Sequence, residues 1–304
     1  MTLNSTRFGL SRRAFLASSA ALALDGRFST AADDSKTYRI IGFTKPFQKL
    51  SFEEAADTVE QIGWDGIECP LRAKGQIEPE RAADELPKLI EALNKRGKTI
   101  DLLATDIVSA TQLHAEKTLR LASKYGIKRY RLGFWKYKVE KPIPDQLREI
   151  KAQLKDLVAL NRELGLKAGF QNHSGKDYVG APIWDIWDMI QDLDPERIGV
   201  CFDIGHATIE GGLSWPIEAR LMAPHFTAVY VKDFVWKKTG EQGWREDWTL
   251  LGDGMVNKSF FKWLKTTSFS GPICQHHEYD HGAGQPMIDK MRKDLTVLKQ
   301  WLAT

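Results

Sequence analysis

From Tyr38 onward, short runs of apolar and β-branched residues alternate with longer stretches whose apolar positions recur every three or four residues. The short runs have the length and composition of buried strands, and the longer ones have helical periodicity. "YRIIGFT" (38–44) opens the series, and "SFEEAADTVEQIG" (51–63) comes next. Ser51 with Glu54 three residues on predicts a helix start, and Gly63 a stop. "DGIECP" (65–70), "TIDLLAT" (99–105) and "KRYRLGFW" (128–135) read as strands. Between and after them come helices over 80–97, with Pro87 inside, over 109–126 and over 145–165, the longest amphipathic stretch. The second half keeps the rhythm: strands over 167–173, 198–206, 226–234 and 271–279, and helices over 181–193, 214–224, 257–267 and 285–303. Val235–Val256 breaks it as a long polar loop rich in tryptophan, glycine and charge. Eight strand–helix units predict a single-domain (β/α)8 TIM barrel. The competing doubly wound sheet would carry a glycine-rich turn after its first strand, where Thr44-Lys45-Pro46 stands instead.

The segment before Tyr38 reads as an address. Arg12 and Arg13 precede an apolar stretch from Ala14 to Leu24, too short to span a bilayer and built like a signal peptide. The paired arginines after Ser11, with Phe15 and Leu16 next, resemble a twin-arginine export signal. Cleavage is expected after Ala21-Leu22-Ala23 or between Ser29 and Ala32. Residues 1–35 are therefore signal peptide and linker, and 36–304 the barrel. The mature protein is expected outside the cytoplasm, in a periplasm where there is one, with no stable membrane insertion once the signal is removed.

Forty-three basic against 40 acidic side chains leave a net charge of +3, which offers no basic footprint for nucleic acid. Cys69, Cys201 and Cys274 cannot all pair within the chain, and each lies in an apolar run, as small buried hydrophobes do.

In such a barrel the active site lies at the C-terminal strand ends. Those ends carry Glu68, then Trp135 and Lys136, then Gln171 and His173, then Asp203 and His206, then Lys232 and Asp233, and last His276, His277 and Glu278. Singly, each has a bland explanation as turn cap, surface charge or core histidine; together the fold would bring them to one mouth. Residues two apart on a strand share a face, so His276 groups with Glu278, Gln171 with His173 and Tyr230 with Lys232. Carboxylate, imidazole and amide donors suit Mn, Co, Zn, Mg or Fe(II). Trp135, Trp236, Trp244 and Trp248 fall at strand ends or in the long loop, where rings pack sugar C–H faces or anchor loops.

With "FDIGHA", "VKDF", "GPICQHHEYD" and "IGWDGIEC" all present, the chain resembles the sugar phosphate isomerase/epimerase superfamily of xylose isomerase-like TIM barrels from about residue 38 to its end. The resemblance implies a divalent metal held by a strand-5 glutamate, a strand-6 aspartate, a strand-7 histidine and a strand-8 glutamate, with a strand-6 histidine on the substrate. Asp203, His206 and Glu278 match that pattern. Gln171 stands for the strand-5 glutamate and Tyr230 for the strand-7 histidine. His276, or else His173 or Glu68, would supply the missing ligand. The implied activity is metal-dependent isomerisation or epimerisation of a non-phosphorylated sugar or keto-sugar. Glu278, Lys232 or His206 would take the proton next to a carbonyl, and His206, His173, Trp135 and Trp236 would bind the sugar. The same enolisation could cleave a 3-keto-glycoside. A sugar-binding barrel without catalysis is the reading that Gln171 and Tyr230 favour. A homo-oligomer is compatible with all three.

Overall fold

The computed structural model describes residues 36–240 and 243–304. The arginine pair and both expected cleavage sites lie outside the described residues. Eight parallel strands close into a barrel: β1 (Ile40–Phe43), β2 (Gly66–Pro70), β3 (Thr99–Ala104), β4 (Arg129–Arg131), β5 (Lys167–Gln171), β6 (Ile198–Asp203), β7 (Phe226–Val231) and β10 (Ile273–Gln275). β10 closes the ring by pairing with β1 through Ile40 opposite Ile273. Around the barrel run α1 (Phe52–Ile62), α2 (Ala82–Asn94), α3 (Ala115–Lys124), α4 (Ile143–Leu164), α5 (Ile183–Ile190), α6 (Ile204–Gly211), α7 (Trp215–Met222), α8 (Ser259–Leu264) and α9 (Gln285–Ala303). The (β/α)8 expectation holds. Among the described residues no helix is long and apolar enough to cross a membrane.

Local chemistry sets these elements. Ser51 and Glu54 form a reciprocal capping box at the start of α1, and Gly63 ends it in the left-handed region at φ 93°. α2 runs through Pro87 without interruption. Strand alternation divides the core. Ile41, Phe43, Leu102, Ala104, Cys201, Ala228, Tyr230 and Cys274 fill the barrel interior. A larger layer, including Val59, Leu89, Leu157, Ile186, Phe260 and Leu298, seals strands to helices. All three cysteines are free and buried, as their apolar surroundings suggested.

The segment 235–256 is not the loop that its polarity suggested. β8 (Asp233–Lys238) and β9 (Trp244–Thr249) form an antiparallel hairpin, with Asp233 opposite Thr249 and Lys238 opposite Trp244. Neither strand has a core beneath most of its length, so the apolar alternation that marks a half-buried strand is missing. Asp233 anchors the hairpin and the turn after it. Its carboxylate accepts the backbone N–H groups of Phe234, Gly252, Gly254 and Val256 at 2.9–3.2 Å. A side chain at Gly254 would run into that carboxylate, which explains the glycine. Asp233 is therefore a structural residue of the mouth. Asp233→Ala strands the two buried N–H donors of Phe234 and Val256, each worth about 1–3 kcal/mol. It is expected to destabilise the protein by that order and to raise hydrogen exchange in 250–256, read by mass spectrometry; unchanged exchange there would contradict the anchoring role.

Candidate active site

Two polar clusters stand one above the other along the barrel axis. The deeper one centres on Glu68, whose side chain is fully buried on β2. Its Oε1 accepts from Tyr230 Oη at 2.7 Å and from Arg131 Nε at 3.3 Å. Its Oε2 accepts from His276 Nε2 at 2.8 Å and from Cys274 Sγ at 3.3 Å. Burial alone would push this carboxyl up, but His276, Arg131 and Tyr230 more than offset it and hold it at about 2. Tyr230 and Cys274 are driven the other way, well above their ordinary values, first by burial and then by neighbouring charge.

The upper cluster gathers around Asp203, the last residue of β6 and the cap of α6. Asp203 Oδ1 accepts the backbone N–H of His206 at 3.1 Å. Its Oδ2 accepts from Gln171 Nε2 at 2.9 Å and lies 3.2 Å from Lys232 Nζ. Asn172 fixes the Asp203 backbone from both sides, accepting its N–H at 2.8 Å and donating to its carbonyl at 3.0 Å. Lys232 Nζ also lies 3.9 Å from Glu278 Oε1, and Glu278 Oε2 lies 3.4 Å from Lys45 Nζ. Burial opposes ionisation of Glu278, but Lys232, Lys45 and His276 outweigh it and hold the carboxyl at about 2.

His206 keeps hydrogen-bonding capacity to spare. Its Nδ1 shares a 2.7 Å hydrogen bond with Ser174 Oγ, while its buried Nε2 has no hydrogen-bond partner and lies 3.6 Å from Asp203 Oδ2. Burial, reinforced by Lys232, His173 and His276, lowers its pKa well below the ordinary histidine value, so the ring is neutral at neutral pH. The His173 ring lies against it at 4.0 Å between centroids and is itself lowered to about 4, chiefly by burial and then by Lys232. Because both shifts are downward, protonation comes only as the pH falls past the ordinary value of 6.5. Imidazole carbon shifts followed by NMR are thus expected to show His173 and His206 still neutral at about pH 5.5, below the ordinary histidine midpoint; a transition near pH 6.5 at either would contradict their burial.

The site residues expected from sequence divide clearly. Gln171, Asp203, His206, His173, Lys232 and Glu278 come together at the mouth. Tyr230 and Glu68 meet below them. His276 joins that lower group and stacks on Phe43 at 4.7 Å, so it is not beside Asp203. Trp135 is a correction. Its ring stacks on Phe170 at 5.1 Å and donates to Gln153 of α4, on the helix side of the wall. Trp236 is another, 41% exposed on the hairpin and outside the Asp203 cluster. Trp248 of β9 lies at the site, its ring 4.8 Å from Lys232 Nζ and 5.5 Å edge-on from His206, and Tyr178 and Phe134 pack on His173 at 4.6 and 5.0 Å. Arg131, Asn172 and Ser174 were missed. Asn172 and Ser174 flank His173 in "QNHSG", a run of polar residues that signals a strand end; Arg131 in "RYRLG" gave no such signal.

The implied metal can be tested against these donors. Of the four positions that would hold it, Gln171 is turned to donate its amide N–H, and Tyr230 is committed to Glu68. Asp203 and Glu278 already share the ammonium of Lys232. Among the described residues one other group, Glu68, Cys274 and His276, brings three ligand atoms within 4.8 Å of one another. There a guanidinium adjoins a carboxylate already satisfied by four donors, and the thiol stays protonated. Neither arrangement fits a divalent ion.

A closed parallel barrel with a polar, partly cationic mouth defines the class: a TIM barrel whose candidate site is built from strand ends. The chain belongs to the xylose isomerase-like TIM barrel family, whose model matches residues 56–301. Comparison with curated proteins finds no match. Among solved structures the chain is similar to 3-keto-D-glucoside 4-epimerase from E. coli, at 14% identity over 87% of this chain and 100% of that one, TM-score 0.66. It is also similar to a xylose isomerase-like TIM barrel protein from Mycobacterium smegmatis in complex with magnesium, at 16% identity over 90% and 100%, TM-score 0.63. D-psicose 3-epimerase, solved in the presence of D-fructose, matches at 13% identity over 88% and 100%, TM-score 0.63. At these identities the likeness is one of fold.

Proposed function

We propose that this barrel abstracts a proton next to the carbonyl of a non-phosphorylated sugar or keto-sugar, in an isomerase- or epimerase-type reaction. One observation carries the reading: a buried, neutral imidazole with its Nε2 unpartnered stands beside an ammonium held by a carboxylate. A general base must be unprotonated at working pH and within hydrogen-bond reach of its proton. His206 meets the first condition through burial, and Ser174 fixes its ring for the second. Lys232 supplies positive charge where negative charge develops on the carbonyl oxygen. Asp203 holds both groups, through the His206 backbone and the Lys232 ammonium. Glu278 is unprotonated too, but Lys232 and Lys45 engage both its oxygens, whereas His206 Nε2 has no partner, which makes His206 the preferred base. The family relatives that act on keto-sugars and ketoses support the choice of substrate class. Export by the twin-arginine route, proposed from Arg12 and Arg13, fits a sugar without phosphate.

The test is solvent exchange. With D-fructose and methyl 3-keto-D-glucoside as probes in D2O, deuterium is expected at a carbon next to the carbonyl of at least one of them, read by proton NMR. No exchange on either, with or without added metal ions, would sink the proposal. Product masses then separate two outcomes: an isomer of equal mass, or two fragments from cleavage of a keto-glycoside.

A further inference from the structure

The cation between Asp203 and Glu278 belongs to the protein itself. Lys232 is 5% exposed and threads past Gly205, where an added Cβ would come within 3.0 Å of Lys232 Cγ. Its ammonium lies 3.2 Å from Asp203 and 3.9 Å from Glu278, and 4.8 Å from the centre of the Trp248 ring. Two carboxylates, Asp203 and Glu278, thus meet two ammonium groups, Lys232 and Lys45, with the Arg72 guanidinium also acting on Glu278, so their charge is already compensated by side chains. A divalent ion added there would leave an uncompensated double positive charge in a buried site, at a high cost. The positions that depart from the metal pattern agree with this. A glutamate at 171 would add an uncompensated charge, whereas Gln171 donates to Asp203. Tyr230 is turned down to Glu68.

We infer that Lys232 takes the electrophile's place in this chain and that its enolisation is metal-free. The inference rests on the functional reading above. In the step, the C–H next to the carbonyl loses its proton to His206 Nε2. The C–H electron pair becomes a C=C bond while the C=O π pair moves to oxygen, and that oxygen is held by Lys232 Nζ. Return of the proton to the former carbonyl carbon, while the hydroxyl proton on the adjacent carbon passes to the oxygen held by Lys232 and that hydroxyl oxygen becomes the new carbonyl, completes an isomerisation without oxidant or co-reactant; return to the same carbon from the opposite face gives an epimer. An ammonium carries three donors, and Glu278 stands beyond hydrogen-bond distance, so a substrate oxygen can be taken without breaking the Asp203 pair.

Manganese(II) titration followed by EPR, alongside D2O exchange with methyl 3-keto-D-glucoside, tests this on the full chain. Wild type is expected to bind no stoichiometric manganese and to exchange equally well with chelator present. Lys232→Met is expected to lose about 100-fold or more in exchange, the scale for removing one electrostatic stabiliser of a developing oxyanion, and Lys232→Arg to recover part of it. The double variant Lys232→Ala with Gln171→Glu, which frees and adds carboxylates, is expected to gain manganese binding. One manganese per wild-type chain, lost in Asp203→Asn, would overturn the inference, as would exchange that stops with chelator. Absence of exchange both with and without manganese would overturn the functional reading, and Lys232's catalytic role with it; the titration would still decide whether a metal binds.

Discussion

Glu68→Ala is expected to destabilise the barrel by about 3–5 kcal/mol, the range for breaking a buried ion pair by removing one partner. The substitution leaves Arg131, 2% exposed, and His276, 4% exposed, facing a void in the barrel interior. It also strands the Tyr230 hydroxyl, which donates to Glu68 at 2.7 Å. At ~2–4 °C per kcal/mol for a chain of this size, the thermal midpoint should fall by roughly 10 °C. Glu68→Gln keeps the volume and one acceptor and should lose less. An unchanged midpoint in Glu68→Ala would show that the cluster does not hold the strands together. Glu68 is thereby assigned to the scaffold under the site, where sequence reasoning had it as a spare ligand.

His206→Asn is expected to lose about 10²–10⁴-fold in exchange rate, the usual contribution of a positioned general base, with little change in unfolding midpoint. Its fold contribution is modest because Asp203 bonds the backbone N–H at 206, which the variant keeps. Ser174→Ala should lose less, since it frees the ring without removing it. The acid limb of the wild-type rate should lie below the ordinary histidine range, because burial keeps the imidazole unprotonated there. A His206→Asn protein retaining more than a tenth of wild-type exchange would remove the base from the mechanism. If that protein still bound sugar, the non-catalytic barrel would become the better reading.

Much of the site was legible because strand alternation is a short-range rule. His276 turns inward to Glu68, His277 outward against Trp64 at 5.7 Å between ring centroids, and Glu278 toward Lys45 and Lys232. Tyr230 and Lys232 share a face at different depths, one on Glu68 and the other on Asp203. Depth along the barrel axis was not legible. It depends on how far each strand is displaced against its neighbours, and β2 and β6 carry register irregularities at Ile67/Glu68 and Val200/Cys201. His276 shares a face with Glu278 but comes two residues earlier along the chain, and it belongs to the lower cluster.

The aromatics show the same boundary. Four tryptophans were equivalent as sequence, since each sat near a strand end or in the long segment. Trp135 lies just past β4, where the chain turns it onto Phe170 and α4. Trp248 reaches Lys232 because the hairpin folds back over the mouth, held by the four N–H groups that Asp233 gathers.

By itself, the sequence determined the eight strand–helix units, the buried cysteines and the set of strand ends that bring polar residues to the mouth, because hydrophobic period and helix caps are local properties of the chain. Tertiary structure alone decided that Lys232 stands between Asp203 and Glu278, that Arg131 and Tyr230 serve Glu68, and that His206 keeps one nitrogen unpartnered. Those contacts join residues from different strands, as many as 162 positions apart for Tyr230 and Glu68. Their charges are set by burial and by one another, which no single stretch of the chain contains.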